Sequence, residues 1–218
     1  MVAADGLSAL TRFGPAVFFT VVALFYTVRI IAAGRRLGRS PVAYGRPGTA
    51  HHRCYLTFRV FRVLIWLASV ARAVWPPFDT LLVPIAPLFR PSVMVAGNLV
   101  LYGTFVLIVW QNLAMGNGWR SGIPDEADTA PLLTGGVYRR CRHPMAATIM
   151  VGQLGLFLAI PSLFTLVCLA VGVETLRREV ELEEADLARR HGKRWEAYRA
   201  TTRKWPWSRK PWSRKPSS

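Results

Sequence analysis

Residues 92–115 read SVMVAGNLVLYGTFVLIVWQNLAM, and no charged residue occurs from Pro91 to Trp119. Crossing the hydrocarbon core of a bilayer takes a helix of about 20 mostly apolar residues. The stretch is long enough, uncharged and rich in Leu and Val, so it predicts a membrane-spanning helix over Ser92–Met115. A helix satisfies its backbone polar groups internally, as lipid requires. The whole chain is therefore read as an all-α integral membrane bundle.

Working outward toward the N-terminus, Phe13 to Ala33 is a second apolar run, interrupted only by Arg29 near its end. From there a long cation is expected to snorkel toward the interface. Met1–Arg12 lacks the basic region of a signal peptide, and no small-residue cleavage site precedes Arg35-Arg36. The first apolar segment is thus expected to be a retained helix. A loop with Arg35, Arg36, Arg39, Arg46 and Arg53 and no acidic residue follows, then another candidate span over Tyr55–Trp75. Arg59 and Arg62 lie early in that span, and Arg72 lies near its end. Pro76, Pro77, Pro84, Pro87 and Pro91 break the next connection, which is expected not to be regular helix.

Toward the C-terminus, Pro144–Val173 is uncharged for 30 residues, with Pro161-Ser162 near its middle. Pro ends a helix and Ser caps the next. A hairpin of two helices, about 145–159 and 162–190, is predicted, the second continuing out of the membrane as a charged helix. Pairs such as Glu174 with Arg178 and Asp186 with Arg190 support that extension. The expectation is about five spans. Loop 35–53 and the tail after Arg189 are basic, whereas loop 76–91 carries only Asp79 and Arg90. By the positive-inside rule the N-terminus lies outside, while the C-terminus and the segment 116–143 are cytosolic.

Composition agrees. The chain has 218 residues, 52% of them hydrophobic, and a formal net charge of +16. Basic residues flank apolar runs, which suits a bilayer with anionic headgroups and argues against nucleic acid. Cys54, Cys141 and Cys168 have no CxxC spacing, so neither a disulfide framework nor structural zinc is expected. His51, His52 and Cys54 are read as polar residues just before a helix, not as a metal site. The sequence Trp-Ser-Arg-Lys-Pro repeats at 207–211 and 212–216, a basic, Trp-containing tail suited to the headgroup interface. Three parts result: N-terminal helices with their basic loop (1–91), a core (92–206) and the tail (207–218).

Three features on the predicted cytosolic side have chemical potential. Met115-Gly116-Asn117-Gly118-Trp119-Arg120 ends the uncharged helix, and taken alone it is an ordinary helix stop. Gly136-Val137-Tyr138-Arg139 leads into Arg142-His143-Pro144, where proline suits a first helical turn. A helix N-terminus favours an anionic group such as a carboxylate, to which Arg142 adds a bidentate donor. Arginines on the cytosolic side of a membrane protein are the plainer account of that turn. Glu183-Glu184 lies in the charged extension, by default a solvated face, but helices joined by a tight hairpin are neighbours, which places these carboxylates to converge with the Arg142-His143 turn on one polar pocket.

Taken in order, these features resemble the integral membrane methyltransferases of the isoprenylcysteine carboxyl methyltransferase and phospholipid methyltransferase type. The resemblance runs from Met115 to Pro206: Met115-Gly116 with Trp119-Arg120, Gly136-Val137-Tyr138-Arg139, Arg142-His143-Pro144, Glu183-Glu184, Leu187, Gly192, Trp195, Tyr198 and Trp205-Pro206. It departs at Ala146 and Thr148, where such proteins usually carry Tyr and Gly, and at Val137 in their Gly-Pro-Tyr turn. It implies S-adenosyl-L-methionine as cofactor and Arg142, His143 and Glu184 as catalytic residues. Gly136, Val137, Tyr138, Arg142, His143, Pro144, Glu183, Glu184 and Tyr198 become cofactor contacts, and a lipophilic molecule becomes the methyl acceptor. An NADPH-dependent sterol-type reductase and a non-catalytic membrane scaffold are the alternatives, and cofactor binding separates all three.

Overall fold

The computed structural model describes residues 2–116, 122–123 and 131–208. Among the described residues there are seven α-helices and no strand: α1 (Val2–Leu37), α2 (Ala50–Val74), α3 (Phe78–Leu81), α4 (Pro91–Ala114), α5 (Pro144–Ala159), α6 (Leu163–His191) and α7 (Lys193–Thr201). Three of them, over Gly6–Leu37, Ala50–Val74 and Pro91–Ala114, are long and apolar enough to cross a membrane. The other two expected spans do not reach that standard. The apolar helix α5 has 16 residues, about 24 Å at 1.5 Å per residue, against a hydrocarbon core of about 30 Å. In α6 the apolar part ends at Val173, and the rest is charged.

Helix ends depart from the hydropathy reading in instructive ways. Thr49 caps α2 by accepting from His52 N at 3.2 Å, so His51, His52 and Cys54 fall inside the helix rather than before it. Arg29 does not simply snorkel, because its Nη2 donates to Asn112 O of α4 at 2.9 Å. The proline-rich connection, expected to be irregular, contains the single turn α3. Pro77 stands just ahead of it, where a missing N–H costs a helix nothing.

The bundle interior is formed by Phe18, Ile65, Leu101, Leu156 and Cys168 from five helices, with Phe18 edge-on to Tyr102 and Phe105 at 5.4 and 5.7 Å. Val17, Val21, Leu24 and Val28 of α1 stay exposed, an apolar outer face of the kind lipid covers. Helices α4 and α5 pack backbone to backbone. A Cβ on Gly97 would stand 2.2 Å from Ala159 N, and one on Gly155 would stand 2.9 Å from Leu101 N. Small residues permit this approach where burial of apolar surface gives little drive between helices.

The two ends of the bundle differ in character. At one end Ser162 and Thr165 cap α6 reciprocally, each side chain bonded to the other's backbone N–H at 3.3 Å. The 82–85 segment docks there through Ile85 N to Pro161 O and Leu163 N to Val83 O, both 2.9 Å. Arg72, only 3% exposed, donates to Asp79 and to Thr11 O at 2.6 Å, tying α1, α2 and α3 together. The other end gathers the start of α5, the charged half of α6, α7 and the loop between α1 and α2. His51 joins that loop to α6, with Nε2 3.0 Å from Ala43 O and Nδ1 3.2 Å from Glu179.

Candidate functional site

Pro144 occupies the first turn of α5 and His143 its N-cap position, so Arg142 and His143 are delivered side by side at that helix's mouth. Both are buried. The backbone there is pinned by the C-terminal segment, with Arg142 N donating to Arg203 O at 2.8 Å and Cys141 Sγ to Lys204 O at 3.3 Å. Gly192 makes this return possible. It ends α6 with φ 47° and ψ −124°, a conformation that glycine adopts without a Cβ penalty. The chain then turns into α7 and brings Trp195 (1% exposed) beneath the guanidinium of Arg142, 5.8 Å from the ring centroid.

Arg142 is the hub. Its Nε and Nη2 each lie 3.0 Å from Glu184 Oε1, and its Nη1 donates to Arg199 O at 3.2 Å and to Thr202 O. The planar five-donor fork of arginine suits this many-sided contact. His143 Nε2 donates to Glu184 Oε1 at 3.0 Å, and its Nδ1 lies 3.3 Å from Glu183 Oε2. Both ring nitrogens thus face carboxylates, which only an imidazolium satisfies fully. Lys204 Nζ stands 3.6 Å from Glu184 Oε2, and the Trp205 ring lies 6.0 Å from that of His143 and stacks on Trp207 at 5.7 Å.

Arg142, His143, Pro144, Glu183 and Glu184, distant in sequence, therefore meet at one place. Tyr138 and Tyr198 form the adjoining wall: Tyr198 donates to Tyr138 O at 2.7 Å, and Tyr138 OH is 3.7 Å from Met115 Sδ. Burial pushes both phenols up to about 12, so they remain protonated donors. Gly136 and Val137 open the one-turn 3-10 segment Gly136–Arg139 that carries Tyr138; Gly136 is exposed, with φ +58°. Asn117, Gly118, Trp119 and Arg120 lie outside the described residues, as does the tail from Arg209 onward. Sequence reasoning missed Thr202 and Lys204, although the nearby Trp205-Pro206 motif marked the segment that brings them.

Residues 92–194 match the phospholipid methyltransferase family. The matched segment begins in the first turn of α4 and contains Arg142, His143, Glu183 and Glu184. No curated protein and no solved structure matches the chain. The family match together with the three apolar helices supports a membrane methyltransferase.

The electrostatics of the cluster set a pH window. Burial opposes the charge on Glu184, but the His143 hydrogen bond, Arg142 and Lys204 outweigh it and hold its carboxyl down to about 2. Burial opposes charge on His143 as well, yet Glu183 and Glu184 win and its pKa is raised. A lowered carboxyl pKa adds stability that is present above its ordinary value of 4.5 and lost as pH falls toward 2. A raised histidine pKa adds stability that is present below 6.5 and lost as pH rises through the folded value. The melting temperature in detergent is expected to plateau between about 4.5 and 6.5 and to fall on either side. His143→Gln makes the alkaline limb shallower, the remainder coming from His51, whose pKa its hydrogen bond to Glu179 also raises, and an unchanged limb in that variant would reject the assignment.

Proposed function

We propose that this protein is an S-adenosylmethionine-dependent methyltransferase acting from within the membrane on a lipophilic acceptor. The observation that carries the reading is the Arg142–His143–Glu184 cluster, roofed by Trp205, at one end of an apolar bundle and inside the family-matched segment. Positive-inside asymmetry supports an orientation with this end in the cytosol and the N-terminus outside. In that reading α5 and the apolar part of α6 form a hairpin in the membrane, and a lipid acceptor arrives laterally.

The donor set suits the cofactor. The N-terminus of α5 has no side-chain cap, which leaves the N–H groups of Met145 and Ala146 to a carboxylate, since Pro144 has none and Ala147 donates to His143 O. Glu183, its side chain 49% exposed, offers an anion toward an ammonium or sulfonium. Gly136, Val137, Tyr138, Pro144 and Tyr198 are proposed to complete the contact surface. S-adenosylmethionine would supply a methyl group on positively charged sulfur. The work left to the chain is alignment and exclusion of water, which can contribute about 7–11 kcal/mol to such a transfer. Arg142 and His143 hold Glu184 and the C-terminal segment in place. An imidazolium with both N–H groups committed is no base, so His143 does not take the proton of an amine acceptor.

The test is equilibrium binding of S-adenosylmethionine to detergent-purified protein. Micromolar affinity is expected for wild type, weakened about tenfold to a hundredfold in His143→Ala and Glu184→Ala, the loss expected for charged hydrogen bonds. A folded wild type that binds none of the cofactor would sink the reading, and NADPH would be tried next.

A further inference from the structure

Gln111 lies in the last turn of α4, three residues before the helix ends at Ala114, and is 7% exposed. Its Nε2 donates to Thr148 Oγ1 at 2.9 Å. Thr148 in turn gives its hydroxyl proton to Pro144 O, also at 2.9 Å. A hydroxyl has one proton, so toward Gln111 it can only accept. That fixes which way the amide faces: Nε2 toward Thr148, and Oε1 away from it. The oxygen so directed is buried and has no hydrogen-bond partner among the described residues. Buried polar atoms are nearly always paired, and an orphan of fixed orientation calls for a partner that a ligand can provide.

Its neighbours say which ligand site this is. One turn beyond Gln111, at the C-cap of α4, is Met115, whose sulfur contacts the Tyr138 hydroxyl. One turn before Thr148 on α5 is Pro144, adjacent to His143 and its two carboxylates. Gln111 thus joins the Tyr138 wall to the first turns of α5. We propose that Gln111 Oε1 is a hydrogen-bond acceptor of this same site, reading an N–H or O–H donor on the bound small molecule, with Thr148 as its positioning residue. The inference rests on the methyltransferase reading. A neutral amide oxygen held in this way repels a carboxylate and selects a donor. Two sources offer one: an amino group of the cofactor, or an amine or hydroxyl on the methyl acceptor.

Full-length wild type, Gln111→Met and Thr148→Val, each in lipid nanodiscs, separate these cases. Three quantities are read: S-adenosylmethionine affinity, transfer of labelled methyl groups from it into a total lipid extract of the expression host, and the ligand-free melting temperature. Gln111→Met is expected to leave the ligand-free melting temperature unchanged or higher, because removing the orphan oxygen relieves an unpaired group. At the same time affinity or transfer falls at least tenfold. A fall in cofactor affinity assigns the donor to the cofactor. Unchanged affinity with lost transfer assigns it to the acceptor. Thr148→Val keeps the amide but frees its orientation, and gives a smaller loss in the same readout, restored by Thr148→Ser. Should Gln111→Met fail to fold, Thr148→Val carries the test alone. Equal affinity and equal labelling in wild type and variants, at any level of labelling, overturn the inference. Failure of wild type to bind the cofactor rejects instead the reading on which it rests.

Discussion

Arg142→Ala is expected to lower stability by about 3–5 kcal/mol, the range for breaking a buried ion pair from one side, and to release the segment after α6. The guanidinium touches Glu184 on α6, Arg199 O on α7 and Thr202 O just beyond it. Its loss leaves two carbonyls without a donor and a largely buried Glu184 held only by His143 and Lys204. The Trp195 ring also loses the cation above its face. Hydrogen exchange should therefore accelerate over residues 193–208 well before the apolar helices respond, with the melting temperature depressed and cofactor binding abolished. Arg142→Lys should rescue little, since a single ammonium cannot span a carboxylate and two carbonyls set on different elements. Wild-type exchange rates over 193–208 in the alanine variant would refute the hub role.

How much of this was legible in the sequence differs from feature to feature. The uncharged stretch over residues 92–115 became α4 within one residue at each end, because hydropathy and helix length both act along the chain. The Pro161-Ser162 boundary was equally readable, as proline and a capping serine are local signals. Span count was not: α5 is apolar but short, and no composition argument says how a short helix sits in a bilayer. Arg29 and Arg72 were read as interruptions of apolar segments, whereas both donate to backbone carbonyls on other helices. Partners so distant in sequence leave no local trace. The convergence of Arg142, His143 and Glu184 was anticipated from the hairpin, which makes α5 and α6 neighbours, and the resemblance then named the residues. Gln111 with Thr148 was invisible, since Thr148 stood out only as a departure and nothing local marks Gln111.

At the opposite end of the bundle, Asp79→Ala is expected to destabilise the protein by about 3–5 kcal/mol while leaving cofactor affinity unchanged. Arg72 is buried, its side chain 4% exposed, and Asp79 is its carboxylate partner, with Nε 2.5 Å from Oδ1. Removing the carboxylate leaves a guanidinium charge among apolar helices with only the carbonyls of Thr11 and Arg12 to satisfy it. Most of that cost is an uncompensated charge rather than a lost attraction, and the two origins make different predictions for the double variant. Arg72→Met/Asp79→Ala removes both charges and should regain most of the loss, stopping short by about 1 kcal/mol for the hydrogen bond to Thr11 O. If the attraction itself were the source, the double variant would melt no higher than Asp79→Ala. Cofactor binding is the second readout. The staple ties α1, α2 and α3 at the end remote from Arg142, so protein that remains folded should bind S-adenosylmethionine as wild type does. Weakened binding by protein that remains folded would mean that the two ends communicate through α4 and α5, whose backbones touch at Gly97 and Gly155.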